Sequence, residues 1–436
     1  MKFLAQGITE KEVIPGVRVV TKKTDIVDVV SIQGSLLGGD VFSPESNSVV
    51  ADVTAAMLDE GTLYRDKFAI SVALENVGAH LSFRCSKYRV RFWARCLTKD
   101  VPLVVELLAE QLRFPLIKPD DLAVTKKRRV GELKKSREDT RARAMEVFLQ
   151  KIYPPDHPNY SVPLSRQIRH TEGVTARLVK DFHERNYGRG NLIIVAVGAV
   201  DHSALEGAVA KGFDGWQRSR LSLDLAAGRR ARRRRKPFRQ VVTLKDKTSV
   251  DLVVGRGIGI DRKHEDFDPL MVALYVLGGN FSARLMTSVR DKEGLTYGVS
   301  SSVGGVENGN DGYWSIWGTF APHLLQRGYA SVMKQLDGWV KDGVTPEELE
   351  TKKTTITGVY AVSLASTGGL AGRTLSLLEQ GRDLSYLDEY PERIRELSLE
   401  KVNHTIETYC PGDKLVAVAA GALDKGWHPL DSSGQD

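Results

Sequence analysis

Asn191-Leu192-Ile193-Ile194-Val195-Ala196-Val197-Gly198-Ala199-Val200-Asp201 and Lys414-Leu415-Val416-Ala417-Val418-Ala419-Ala420-Gly421-Ala422-Leu423-Asp424 are two versions of one phrase, 223 residues apart (424 − 201). Each is a short apolar run ending in Gly-Ala and closed by an Asp, the pattern of a buried strand. The same offset relates Asp28-Val29-Val30 through Gln33-Gly34 to Asp251-Leu252-Val253 through Arg256-Gly257. Between them, Gln111-Leu112 recurs as Gln335-Leu336, and Pro119-Asp120-Asp121-Leu122 as Pro346-Glu347-Glu348-Leu349, at offsets of 224 and 227. One offset at both ends, with small insertions that cancel between, argues for duplication of a unit of roughly 200 residues. Two copies are too few for a solenoid. They predict an α+β protein of two homologous domains facing each other.

Within the first half, Val17–Lys22 and Ile26–Gln33 carry the Val and Ile of strands, and Leu81–Phe83 with Tyr88–Leu97 read as a hairpin. Helical spacing covers 46–59, 67–76, 101–113, 120–152 and 175–187. Pro119-Asp120-Asp121 places proline and acids at a helix start, which suits the macrodipole. The second half repeats this order. The boundaries that follow are a first domain at 1–218, an arginine-rich linker at 219–240 and a second domain at 241–436.

With 436 residues, 42% hydrophobic and 27% charged, the composition is that of a water-soluble protein, and no apolar run reaches the length of a membrane span. The first dozen residues lack a signal core, so the expected compartment is the cytoplasm, or the periplasm if a leader has been removed. Cys85, Cys96 and Cys410 are odd in number and form no Cys-x-x-Cys, consistent with a reducing compartment. Much of the net charge of +7 comes from Arg229, Arg230, Arg232–Arg235 and Lys236. No aromatic interleaving accompanies that block, so it reads as a solvated linker and nucleic acid is not the expected partner. His157 and His170 read as solvent-facing loop residues.

Two further stretches carry a family likeness. Leu277-Gly278-Gly279-Asn280-Phe281-Ser282-Ala283-Arg284-Leu285 leads to Val289-Arg290-Asp291-Lys292-Glu293-Gly294-Leu295-Thr296-Tyr297-Gly298, and Val49–Thr62 has the frame of a helix closing on Met57-Leu58-Asp59-Glu60-Gly61-Thr62. With the duplicated halves, these resemble the pitrilysin/insulinase family of metallopeptidases in its short form, which includes the mitochondrial processing peptidase subunits. That family carries His-x-x-Glu-His on the first-half helix. A zinc hydrolase needs three protein ligands and an open position for water, with the helix Glu as base. Here the motif positions read Asp52, Val53, Thr54, Ala55 and Ala56. Asp52 replaces the first His, Ala55 the base and Ala56 the second His; Glu132 falls where the family has its downstream Glu ligand. Two carboxylates without imidazole make a poor zinc site. The strand that the family uses to hold substrate also departs, with Ser82 and Phe83 in place of Asn and a small residue.

The resemblance implies the opposite for the second half. Family enzymes use an Arg and a Tyr seven apart, matching Arg290 and Tyr297, to donate hydrogen bonds to the scissile carbonyl and its oxyanion. Arg284 fits a turn-stabilising role equally well. The resulting expectation is a non-catalytic subunit that binds no metal itself and pairs with a homologous zinc-bearing subunit as a heterodimer. Arg290 and Tyr297 would serve peptide substrates in a composite active site. The alternative is a structural or substrate-capturing core subunit.

Overall fold

The computed structural model of the chain describes residues 4–223, 231 and 236–430. Arg229, Arg230 and Arg232–Arg235 of the basic block lie outside these, and Phe238, inside the stretch read as a linker, already begins a strand. Strands β1 (Ile8–Ile14), β2 (Val17–Lys23), β3 (Val29–Leu37), β4 (His80–Cys85), β5 (Arg89–Leu97) and β6 (Leu192–Gly198) form a sheet in the order β1-β2-β6-β3-β5-β4. Strands β7 (Phe238–Thr243), β8 (Val250–Gly257), β9 (Thr296–Gly304), β10 (Tyr313–Phe320) and β11 (Val416–Gly421) form another, in the order β7-β11-β8-β10-β9. β2 with β6 and β7 with β11 are parallel; the other pairs are antiparallel. The repeated phrases occupy β6 and β11, and the second sheet repeats the first without β1. The fold is thus α+β with two homologous sheets, each flanked by helices.

β1 has no counterpart in the sequence reading. Its Glu10-Lys11-Glu12 core conceals any alternation, and charges of this kind suit the edge strand that it is. The single helix expected over 120–152 is instead two, Pro119–Glu138 and Thr140–Ile152. Asp139 adopts extended dihedrals between them and accepts a hydrogen bond from the Ala142 N–H (2.7 Å), so capping outweighs continued periodicity.

The break matters because the chain changes partner there. One compact unit comprises Met1–Leu133, Ser165–Leu223 and Val359–Tyr390; the other comprises Lys134–Leu164, Asp224–Gly358 and Pro391–Asp436. The division at 219–240 follows the repeat in the sequence, whereas the compact units exchange segments across it. In the first unit, one face of the sheet buries Val17, Val19, Val30, Ile32 and Leu36 against the helices Val50–Met57, Val101–Arg113 and His202–Phe213. Its other face buries Val20, Ile193, Val195 and Val197 against Leu370, Ala371, Leu375 and Leu378 of helix Thr367–Glu379. In the second unit, Val253, Val416, Val418 and Ala420 pack on Ala144, Val147, Phe148 and Ile152 of helix Thr140–Ile152.

His157 belongs to this second core and does not face solvent. It is 3% exposed, stacks on Tyr153 at 4.1 Å between ring centroids and meets Asp311 Oδ1 through Nε2 at 2.7 Å. The three cysteines are free thiols. Among the described residues, no helix is long and apolar enough to cross a membrane.

Candidate functional site

Helix Val50–Met57 presents Asp52 and Ala56 on its partly exposed face, one turn apart, while Ala55 is 2% exposed and packs into the core. Asp52 meets Arg129 of helix Pro119–Glu138, Nε to Oδ2 at 2.7 Å. One turn further on, Glu132 accepts from Arg129 Nη1 at 2.9 Å. The guanidinium therefore bridges the only two of these motif positions that keep an acid. Burial lifts the Asp52 carboxyl above the ordinary range; Arg129 opposes this and the Glu132 charge adds to it. Sequence reasoning passed over Arg129, although its place three residues before Glu132 puts both on one helix face.

In the second unit, Arg290 and Tyr297 come together. Each is presented by a local departure from regular structure. Arg290 lies in a π-helix, Met286–Lys292, where Glu293 N–H donates five residues back to Ser288 O (3.0 Å) and Leu295 N–H reaches Val289 O (3.0 Å). Met286 and Val289 are buried beneath it. Tyr297 lies on edge strand β9 at a bulge: Gly298 pairs with Thr319 and Thr296 with Phe320, so Tyr297 is the extra residue. The bulge turns its ring outward, leaving the residue 86% exposed. The Arg290 guanidinium carbon sits 5.6 Å from the Tyr297 ring centroid and 5.7 Å from that of Phe281, which is 75% exposed. Arg290 is thus flanked by two exposed aromatic rings, a geometry in which cation–π attraction holds a cation without neutralising it. No carboxylate among the described residues pairs with it. Phe281 was not among the expected site residues; its place between Gly279 and Arg284 in the quoted stretch was the available signal.

The loop bearing Phe281 is tied from behind. Lys352, 4% exposed, donates from Nζ to Asn280 Oδ1 (2.9 Å), Ser282 Oγ (2.8 Å) and Ser282 O (3.2 Å). Arg284 forms a bidentate pair with Glu348 (2.6 Å for both bonds) and donates to Gly343 O (2.8 Å), which commits it to the turn.

Two family models match the chain: "Insulinase (Peptidase family M16)" over residues 18–157 and "Peptidase M16 inactive domain" over residues 173–356. The chain belongs to peptidase family M16. Relatives of this M16 chain include an uncharacterized zinc protease of Mycobacterium tuberculosis, 27% identical over 402 residues that cover 89% of this chain and 87% of the relative. A probable mitochondrial-processing peptidase subunit beta of Schizosaccharomyces pombe is 24% identical, covering 93% of this chain and 89% of its own. Among solved structures, a peptidase M16 inactive domain from Pseudomonas fluorescens superposes with a TM-score of 0.84 at 23% identity, covering 97% of this chain and all of that one.

The zinc in the mycobacterial relative's name does not match the donors present in this M16 chain. Ala55 and Ala56 offer none, and Asp52 and Glu132 are both engaged by an internal cation. Among the described residues, no group of three or more His, Cys, Asp or Glu could hold a metal ion.

Asp59, just past the same helix, gives a test of local electrostatics. Burial, with the Glu60 charge adding to it, pushes its carboxyl up to about 6, against Lys67 and Arg128. A carboxyl raised on folding favours the fold below its unfolded pKa of 3.8, and that contribution is lost as pH rises through about 6. Asp59→Asn mimics the protonated form. Its stability gain over wild type is expected to be absent near pH 4, to grow through pH 6 and to level off above at ~1–2 kcal/mol, allowing for partial exposure. Thermal melts across that pH range check it.

Proposed function

We propose that this chain is the zinc-lacking subunit of a two-chain M16 peptidase, and that Arg290 and Tyr297 serve an active site whose zinc is held by a homologous partner. The observation that carries the reading is the Arg290–Tyr297 pair. A π-helix and a β-bulge deliver a partly exposed guanidinium and a fully presented phenol side by side, and among the described residues no carboxylate pairs with Arg290, where a packing role would have buried or paired them. Five guanidinium N–H groups and one phenolic O–H are the donors that a developing oxyanion needs. The retired helix supports the same reading. With Ala55 in the core at the base position, and Asp52 and Glu132 both tied to Arg129, that helix offers no free base, so the hydrolytic water belongs to the partner. A peptide would be held by strand addition at a sheet edge and attacked by water bound to the partner's zinc.

Co-expression with zinc-bearing M16 homologues, followed by co-purification and metal analysis, tests this. The expected result is a stable pair that contains zinc and hydrolyses peptides, and an isolated chain with neither property. Stoichiometric zinc in the isolated chain would overturn the reading.

A further inference from the structure

One end of the first sheet carries charged side chains on either side of its two central strands. On the face covered by helix Thr367–Glu379, the register runs Glu12 to Arg18, Arg18 to Ile193, Ile193 to Ser35 and Ser35 to Arg91, with Arg89 two residues from Arg91 on the same face. A cavity of about 520 Å³ opens there, lined by Glu10, Glu12, Arg18 and Arg89 and by the backbone of Gly16 and Gly190. The glycine wall is close-built: Gly16 has φ +84°, and a Cβ on it would stand 2.3 Å from Gly190 N.

Arg89 is the unusual member. It is 8% exposed, yet among the described residues its guanidinium meets one acceptor, Ser35 Oγ, from Nη1 at 3.1 Å. Its Nε is buried and meets none. A guanidinium carries five N–H groups, and a buried Nε–H left unanswered beside a charge is costly. The nearby acids are committed elsewhere. Both oxygens of Glu379 bond to Arg91, from Nε at 3.0 Å and from Nη2. Glu10 pairs with Arg18 at 2.5 Å, and Glu12 Oε1 accepts from Gly16 N–H at 2.5 Å. Burial lowers the pKa of Arg89; Glu379 opposes that and Arg91 adds to it.

We propose that this cavity is a binding site for a small oxyanion, a carboxylate or phosphate group, held by the Arg89 guanidinium, with Arg18 also in its lining. Two oxygens on one centre match the fork of a guanidinium, which a spherical ion does not. Glu10 and Glu12 in its lining disfavour polyanions such as nucleic acid and restrict the site to a small ligand. The site lies entirely within the first unit and does not depend on the peptidase reading.

The test is the melting temperature of the full chain in sodium acetate, sodium phosphate and sodium chloride at matched ionic strength, for wild type and Arg89→Met. A raised Tm in acetate alone identifies a carboxylate ligand, and in phosphate alone a phosphate ligand. At a concentration about 100 times Kd the rise for a chain of this length is about 3 °C. Arg89→Met should abolish it. Equal shifts in all three salts, or the same shifts in the variant, overturn the proposal. If Arg89→Met does not fold, wild-type crystals soaked in selenate decide. An anomalous peak within hydrogen-bond reach of Arg89 supports the site, and its absence there overturns it.

Discussion

Arg290→Ala is expected to lower kcat of the proposed two-chain peptidase by about 100- to 1,000-fold, the usual cost of removing one oxyanion donor. The change should leave the fold intact. Arg290 makes no ion pair among the described residues, and the buried anchors of its π-helix, Met286 and Val289, are untouched. Zinc content and assembly with the partner should be unchanged, and the loss should fall on kcat more than on KM, because the interaction strengthens as the carbonyl becomes an oxyanion. Tyr297→Phe separates two roles. It keeps the ring, the bulge and the contact with Arg290 but removes the hydroxyl, so a comparable loss assigns the effect to the hydrogen bond. Steady-state kinetics with a quenched peptide check both. Wild-type rates in both variants, with the pair still assembled, would leave this chain a structural or substrate-capturing subunit.

Phe148→Ala is expected to cost ~3–5 kcal/mol, in the range for emptying an aromatic site in a core. Phe148 is fully buried and meets Tyr313 edge-on at 5.7 Å between ring centroids. The location of the damage is as informative as its size. Phe148 comes from the first half of the sequence but packs on Val253, Val416 and Val418. Hydrogen exchange should therefore quicken in β8 and β11 and stay near wild type in β3 and β6. Faster exchange in the first sheet instead would place helix Thr140–Ile152 in the wrong unit.

Much of the architecture was legible because it repeats. The offset of 223 residues located β6 and β11 and, with β3 and β8, the centres of both sheets, since buried central strands have a plain apolar pattern. What escaped depended on contacts through space or on small local energies. A single capping carboxylate at Asp139 split a helix that periodicity would continue. The exchange of segments between units leaves no mark in composition. The Asp52 ion pair of Arg129, a contact between two helices, could not be read from a position that, in sequence, is one basic residue in a run of Lys126-Lys127-Arg128-Arg129. Arg290 and Tyr297 were legible as residue types at a spacing. The π-helix and bulge that bring them together were not, because both arise from how backbone hydrogen bonds redistribute in the folded chain.

The exchanged segments also set a timetable for the ribosome. The apolar face formed by Val20, Ile193, Val195 and Val197 receives its cover from residues near 370–378, so the first sheet is translated long before its lid exists. At bacterial or eukaryotic elongation rates the interval is roughly 10–40 s. Throughout it the nascent chain offers a bare β-surface, and neither half can mature as an autonomous translation product. A chaperone that binds extended apolar segments would find its substrate in that window, and a premature stop codon anywhere before residue 370 would yield a polypeptide that stays sticky rather than a smaller working domain.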